Sequence, residues 1–182
     1  MTPAPRAKLK IDVLVDSDRW NEPAKARSTV RRAAAQAAAT ASTTRTELAM
    51  VLTDDSAIRQ LNRLWRGIDA ATNVLSFPSK QIADEPPHLG DIVLAFETIA
   101  REARSERKPL AHHLAHLAVH GFLHLVGYDH ERPKDALEME RTERKILSQL
   151  AIPDPYRPVR TLRRTPIKRG EKLAAKRPRK SA

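Results

Sequence analysis

Three histidines in the second half of the chain have the residue type and spacing of a metal site. His120 and His124 lie four positions apart, and His130 follows shortly after Gly127. Residues four apart on a helix share a face, so the first two imidazoles can bind one ion. A glycine can end the helix in a left-handed turn and fold the chain back towards that ion. We therefore predict His120, His124 and His130 as the ligands of one metal ion per chain.

Zinc is the ion that this ligand set predicts. Three neutral imidazoles leave the fourth tetrahedral position to water, which is the arrangement of catalytic rather than closed structural zinc sites. Zinc in such a site activates the water near neutral pH. Nickel, copper and iron also accept histidine ligands, so other divalent transition metals stay open. We assign His120 a catalytic role in addition to its role as a ligand. A structural zinc and histidines without a metal are the alternative interpretations.

His116 offers a rival set of ligands, because it lies four residues before His120. In a triad with His124, however, the outer two residues would be separated by a helical rise of about 12 Å. Zinc–nitrogen bonds are about 2 Å long, so these two cannot readily share an ion. We interpret His116 and the two histidines before it as structural. Asp129 either orients an imidazole or a water, or belongs to the turn, and the sequence leaves both open.

The segment HGFLHLVGYDH, residues 120–130, has the spacing of the zinc-protease motif H-E-x-x-H-x-x-G-x-x-H with one change. Gly121 stands where the motif has its glutamate, which acts as general base and proton donor in peptide hydrolysis. The transition state of phosphodiester cleavage instead concentrates negative charge, which a metal ion and an arginine can stabilise. A metal, a nearby arginine and a basic surface therefore favour nucleic acid over peptide as the substrate.

The positive charge of the chain lies mostly in its C-terminal tail. The 182 residues carry a net charge of +11. Residues 154–182 hold 11 basic against two acidic residues, a net +9, so residues 1–153 carry only +2. A tail with several prolines and few large apolar residues is predicted to be disordered and attracted to polyanions. We predict one domain over residues 1–153, followed by a basic tail over residues 154–182.

Composition also bears on the compartment. The chain has no cysteine, which excludes disulfides, cysteine zinc sites and thiol chemistry. Its start lacks the apolar core of a signal peptide. The longest uncharged run, residues 110–128, contains five histidines, so we interpret it as a buried helix and not as a membrane span. These features predict a cytoplasmic protein without a membrane partner.

Hydrophobic periodicity predicts the elements that must position the histidines. Strands are predicted at residues 9–15, 46–53, 73–77 and 90–96, and helices at about 24–41, 55–66, 97–108, 109–127 and 133–150. This order predicts a single α/β (α+β) domain, in which a mixed four-stranded sheet packs with about five helices. The metal site then lies at the end of a central helix that bears the histidines.

The histidine motif resembles the signature of the YbeY family, bacterial metal-dependent endoribonucleases of ribosomal RNA maturation. LNRLWRGIDAATNVLSFP, residues 61–78, resembles the family's arginine-then-TNVLSFP segment, and LGDIVLA, residues 89–95, resembles the strand that follows. ALEMERTERKIL, residues 136–147, resembles the family's closing helix. In this order the segments cover about residues 9–156. Ala71 departs from the pattern, because the family usually has proline there.

The resemblance implies a single-strand-specific metallo-endoribonuclease in 16S rRNA 3′-end maturation and late-stage ribosome quality control. It also implies one zinc ion on the three histidines, with single-stranded RNA, ribosomal RNA and the small ribosomal subunit as partners. The family's functional arginine falls at Arg66, which we predict as a catalytic and RNA-binding residue because a guanidinium binds phosphate bidentately. The nucleophile stays open between an activated water and the RNA 2′-hydroxyl, and the oligomeric state also stays open.

Two other functions are consistent with the same residues. A non-enzymatic ribosome-assembly factor would use zinc to stabilise its fold and its basic tail to bind RNA. A metalloprotease would match the spacing of the histidines but would lack the glutamate that Gly121 replaces.

Overall fold

The computed structural model describes residues 9–21, 25–41, 43, 45–80 and 87–157. The elements in chain order are β1 (Lys10–Val15), α1 (Ala26–Thr40), β2 (Glu47–Thr53), α2 (Asp55–Arg66), β3 (Val74–Pro78), β4 (His88–Ala95), α3 (Phe96–Ser105), α4 (Leu110–Leu125) and α5 (Pro133–Gln149). All nine were predicted from the sequence, with small differences at their ends. A short 3-10 helix, Asp18–Trp20, was not predicted.

The four strands form one mixed sheet in the order β1-β2-β4-β3. β1 and β4 both run parallel to β2, whereas β3 pairs antiparallel with β4. β3 is therefore an edge strand, with Ser76 opposite Ile92 and Phe77 opposite Asp91. Successive side chains of a strand point to opposite faces, so Ser76 and Phe77 face different layers of the protein. The predicted α+β domain with a mixed four-stranded sheet is confirmed.

The two faces of the sheet are covered unequally. On one face, Ile92 of β4 belongs to the main hydrophobic core, to which α1, α4 and α5 all contribute buried side chains. On the other face, Ile58 of α2 packs in a smaller cluster with Leu75 and Val93. Fully burying one large apolar side chain stabilises a fold by about 1.5–3 kcal/mol. Most of the hydrophobic stabilisation therefore comes from the face that carries α4.

The central helix α4 lies directly against this sheet at Gly121. A Cβ atom on Gly121 would stand 2.9 Å from the Ser76 hydroxyl oxygen and 3.0 Å from Cγ2 of Ile92. Contacts this short are tighter than ordinary packing, so the absence of a side chain lets the helix approach β3 and β4 closely. The residue that separates the chain from the protease motif thus has a packing role.

Local signals place both ends of α2. Asp54 precedes the helix, and its Oδ1 accepts a hydrogen bond from the backbone N–H of Ala57 at 2.9 Å, as predicted for an aspartate at a helix start. Gly67 follows the helix with φ of 72°, a left-handed conformation that favours glycine. Arg66 is therefore the last residue of α2.

After α5 the chain remains in contact with the domain. Lys108 Nζ donates to the Pro155 carbonyl at 2.7 Å, and Arg144 Nε donates to Asp154 Oδ1 at 3.3 Å. The first residues of the predicted tail thus pack on the domain, while residues 158–182 lie outside the described part of the chain. In that described part, no helix is long and apolar enough to cross a membrane. The uncharged run at 110–128 forms α4 and the turn after it, in line with the prediction.

Candidate metal centre

The structure brings the three predicted ligands together. His120 and His124 are one turn apart in the C-terminal half of α4. Gly127 has φ of 95°, and the backbone N–H of Tyr128 bonds back into α4 at 3.0 Å, which closes a left-handed helix end. The chain then returns His130 to the other two histidines. One ring nitrogen of each histidine lies within 4.8 Å of those of the other two, and the predicted role of Gly127 is confirmed.

Asp129 belongs to this turn. Its Oδ1 accepts hydrogen bonds from the backbone N–H groups of His130 at 2.7 Å and Glu131 at 3.3 Å. An aspartate that bonds to the backbone just after itself is a common way to stabilise a turn. Of the two interpretations that the sequence left open for Asp129, the structure therefore supports the turn.

Hydrogen bonds set the tautomers of the two helical histidines. His120 Nδ1 lies 2.8 Å from Oε1 of Glu143, and His124 Nδ1 lies 3.0 Å from the carbonyl oxygen of Tyr128. Both partners are acceptors, so each neutral ring carries its proton on Nδ1 and a lone pair on Nε2. The two Nε2 atoms face each other at 3.1 Å. Two lone pairs at this distance repel unless a cation lies between them, and two nitrogens on one tetrahedral zinc stand about 3.3 Å apart.

The lowered pKa of His124 also suits a metal. Burial, and after it the positive charge that His120 and His130 can carry, lowers the pKa of His124. The neutral imidazole is the form that binds a metal ion. The residues present therefore fit a divalent transition metal, held by His120, His124 and His130.

A buried carboxylate accepts a hydrogen bond from the side of the His120 ring that faces away from His124. Glu143 of α5 is 0% exposed and accepts hydrogen bonds from His120 and from the hydroxyl of Tyr156, while Nε2 of His116 lies 3.5 Å away. Burial alone would raise the pKa of Glu143, but the imidazoles of His116 and His120 lower it to about 2. A carboxylate behind a ligand histidine fixes the orientation of the ring and raises its basicity.

Glu143 was not identified from the sequence, although a signal was present. It shares one helical face with Met139, Ile146 and Leu147, all of them buried. A single acidic residue on an otherwise apolar helix face must find a partner, because an unpaired buried charge is costly. The pattern thus marks Glu143 as unusual, but only the packing of α5 on α4 shows that the partner is His120.

The other histidines of α4 have structural positions. The rings of His116 and His120 are 6.4 Å apart, and His116 is not among the described residues whose side chains converge on a common metal position. Nε2 of His113 lies 2.8 Å from a carboxylate oxygen of Glu102, which also accepts a hydrogen bond from Asn73 at 3.0 Å. This network ties α4 to α3 and to the residue before β3. The rival triad that includes His116 is therefore not formed.

Arg66 does not contact the histidines. It ends α2, on the opposite face of the sheet from α4, and its side chain is exposed. Within the described residues it makes no ion pair and no side-chain hydrogen bond, whereas Arg59 of the same helix is bonded to Asp69 at 2.8 Å. A guanidinium that no described residue binds can form bidentate hydrogen bonds with a phosphate.

Fold and site together define an α+β protein with a candidate three-histidine metal centre at the end of its central helix. A family model described as "Endoribonuclease YbeY" matches residues 15–151. The chain belongs to the YbeY family, as its motifs predicted.

Curated relatives support this assignment along most of the chain. "Endoribonuclease YbeY" of Nitrobacter winogradskyi is 55% identical over 155 residues, which are 81% of this chain and 82% of the relative. The proteins of the same name from Rhodopseudomonas palustris strain BisB18 and Bradyrhizobium diazoefficiens are 54% and 52% identical; each match covers 80% of this chain, and 90% and 84% of the relative. A solution structure of a Thermotoga maritima protein aligns with 81% of this chain and 99% of its own, at 20% identity and a TM-score of 0.48.

Proposed function

We propose that this chain is a zinc-dependent, single-strand-specific endoribonuclease that acts in 16S rRNA 3′-end maturation and late-stage ribosome quality control. Family membership supports the reaction class, because the matching relatives are named endoribonucleases. The observation that carries the metal dependence is the convergence of one ring nitrogen from each of His120, His124 and His130, with the first two Nε2 atoms 3.1 Å apart. In this proposal the enzyme works in the cytoplasm, with ribosomal RNA and the small ribosomal subunit as partners.

The protein's own groups orient the centre. His120, His124 and His130 would hold one ion, and Glu143 keeps the proton of His120 on Nδ1 so that Nε2 faces the ion. When bound, the ion supplies Lewis-acid chemistry that activates water or polarises a phosphate oxygen. We class His120 as catalytic because it would bind the ion at which the reaction takes place.

Arg66 supplies the positive charge that a phosphodiester substrate requires. Its exposed guanidinium can donate two parallel hydrogen bonds to a phosphate. It lies across the edge strand from the histidines, so it binds the RNA strand beside the cleavage point in this proposal. The basic tail adds a further, sequence-independent attraction to RNA.

The packing of Gly121 argues against the metalloprotease alternative. The protease glutamate would have to extend from a position that already lies 2.9 Å from the Ser76 hydroxyl and 3.0 Å from Ile92 at its Cβ. The chain thus lacks both the general base and the space for it. An RNA phosphodiester can be attacked by an activated water or by its own 2′-hydroxyl, and for either nucleophile a metal ion would make the proton easier to lose.

The first test pairs metal content with cleavage of a single-stranded RNA. The wild type, His124→Ala and His112→Ala go through one identical purification, because contaminating ribonuclease is the main hazard. His112 lies on the same helix but outside the cluster, so it is the matched control. We expect about one metal per chain and cleavage in the wild type and in His112→Ala, and neither in a folded His124→Ala.

Two results would contradict the proposal. Equal cleavage by all three proteins would assign the activity to a contaminant. Metal-dependent folding without metal-dependent cleavage, also in the presence of small ribosomal subunits, would favour the assembly factor with a structural zinc. The product ends then identify the nucleophile, because attack by the 2′-hydroxyl leaves a 2′,3′-cyclic phosphate and attack by water does not.

A further inference from the structure

The end of α2 presents an exposed apolar surface. Leu64, Trp65 and Ile68 are 76%, 67% and 52% exposed, although most large apolar side chains of the described residues are buried. Neighbouring exposed apolar residues, a tryptophan among them, mark a surface that binds something. We name this surface, together with Arg63 and Arg66, the α2 platform.

The indole of Trp65 is supported by a second ring. Its centroid lies 5.8 Å from that of Phe77 in β3, at an interplanar angle of 58°. Phe77 in turn packs against the small core on this face of the sheet. An aromatic ring that is held by a neighbour and still exposed loses little conformational entropy when a flat ligand stacks on it.

The charges of the platform select the kind of ligand. Arg63 and Arg66 are exposed on either side of Trp65 in the sequence, and neither makes an ion pair with a described residue. An exposed aromatic ring on the same helix turn as two exposed guanidiniums without an ion pair to a described residue matches single-stranded nucleic acid, which offers flat bases next to phosphates. An apolar protein partner would leave two unpaired guanidiniums at the interface, which is unfavourable.

The edge strand β3 contacts both the α2 platform and the helix that carries the histidines. Phe77 supports Trp65 on one face of β3, and the preceding Ser76 lies against Gly121 on the other. Gly121 directly follows the ligand His120. Because no further strand pairs with the outer side of β3 in the described sheet, an extended strand of RNA can pass around this edge from one side to the other.

We infer that Trp65 stacks on an unpaired base of the RNA strand that is cut at the histidine centre, while Arg63 and Arg66 bind phosphates beside that base. This inference rests on the proposed RNA substrate and adds a base-binding position to it. It gives the preference for single strands a physical cause, because a base inside a duplex is stacked on its neighbours and cannot stack on Trp65.

Intrinsic fluorescence makes the inference directly testable on the full chain. The protein has two tryptophans. Trp20 is 3% exposed, packs edge-on against Phe96 and donates from its indole nitrogen to the Thr53 carbonyl at 2.8 Å. A bound base can therefore quench Trp65 but not Trp20.

The titration uses a 2′-O-methyl RNA of about 12 nucleotides, a length that one single-strand surface can cover, and an abasic phosphodiester strand of equal length. We expect the RNA to quench the wild type and the abasic strand to leave its emission unchanged. Trp65→Leu should bind the RNA about five- to a hundredfold more weakly by anisotropy, since a stacked base contributes about 1–3 kcal/mol. Trp65→Phe should retain most of the affinity, and Leu137→Ala, which removes an exposed leucine of α5, should retain all of it.

Several outcomes would overturn the inference. These are equal RNA affinity of Trp65→Leu and wild type, no quenching at saturation, or an equal loss of affinity for the abasic strand. A defect of Trp65→Leu confined to binding ribosomal proteins would assign the platform to a protein partner instead. The emission of Trp20 in Trp65→Leu and Trp65→Phe reports whether each variant is folded. Failure of the proposed nuclease activity would be visible separately, as RNA cleavage that does not depend on His124.

Discussion

On the α4 side of the edge strand β3, the rings of His120 and His124 are each oriented by a hydrogen bond that Nδ1 donates, so that their Nε2 atoms face each other. On the α2 side, Arg66 and Trp65 extend from a helix end without polar partners among the described residues. The proposed ligands account for the difference. A metal requires donor atoms placed to within a few tenths of an ångström, so its side chains need rigid support. A flexible RNA strand adapts its own conformation, so its binding groups can remain exposed.

The same difference is visible in the cores beneath. α4 is central to the larger hydrophobic core, and its His120 is bonded to the buried Glu143 of α5. α2 buries little besides Ile58 and Asn62. Substitutions on the α4 side should therefore affect both folding and the metal, whereas those on the α2 side should affect RNA binding alone.

The largest effect is expected from Gly121→Glu, which restores the protease motif. A glutamate here would place an unpaired carboxylate between α4 and the sheet, where even a Cβ is 2.9 Å from Ser76 Oγ. We expect the free energy of unfolding to fall by more than about 3 kcal/mol, measured by denaturant titration. Gly121→Ala is the control and should cost at most about 1–2 kcal/mol, because the Ser76 hydroxyl can rotate away. A stable Gly121→Glu protein would disprove this packing role.

A smaller effect is expected from Glu143→Gln, which leaves the shape of the core unchanged. The amide oxygen can still accept from His120 Nδ1, but without the negative charge that makes the ring more basic, so zinc affinity should fall about ten- to a hundredfold. Competition with a chromogenic chelator measures this change. Glu138→Gln, on the exposed side of the same helix, is the matched control. Unchanged zinc affinity in Glu143→Gln would show that the charge of Glu143 does not contribute to metal binding.

On the opposite side, Arg66→Ala should lower RNA cleavage about tenfold and leave the metal content unchanged, because it removes a charge-assisted hydrogen bond outside the centre. Arg66→Lys should recover only part of the rate, since an ammonium lacks the bidentate geometry. Arg59→Ala is the control on the same helix, because Arg59 is already bonded to Asp69. Loss of metal from Arg66→Ala would show that the two sides are not independent.

The smallest effect is expected from removal of residues 158–182, a truncation that keeps the Tyr156 contact to Glu143. This segment holds ten of the chain's lysines and arginines. RNA affinity should fall at most about tenfold at physiological salt, and its dependence on salt concentration should become shallower. A tail of equal length with serines in place of these residues is the control, and should behave like the truncation. An unchanged salt dependence would remove the tail from the RNA-binding surface.

Much of the fold could be predicted because its signals are local. The alternation in Lys10–Val15, the cap at Asp54 and the left-handed glycines Gly67 and Gly127 each act over a few residues. The spacing of His120 and His124 is also a local signal, because residues four apart in a helix lie on the same face. Because Gly127 predicted a turn that folds the chain back, His130 could also be predicted to join these two histidines.

Other features depend on contacts between distant parts of the chain. No periodicity showed that β4 inserts between β2 and β3, which makes β3 the edge and puts α2 and α4 on opposite faces. No local pattern paired Glu143 with His120, which lie 23 residues apart. The exposure of Trp65 likewise follows from how little of α2 the sheet covers.

The sequence by itself determined the elements, their ends and the three histidines that can share an ion, because each depends on backbone geometry within a few residues. Only the tertiary structure decided which ring nitrogens converge, which carboxylate is bonded to His120, and which side of the edge strand carries Arg66. Those features depend on how the helices pack on the sheet. Packing brings together residues that are far apart in the sequence, and the number of residues between them does not predict their contact.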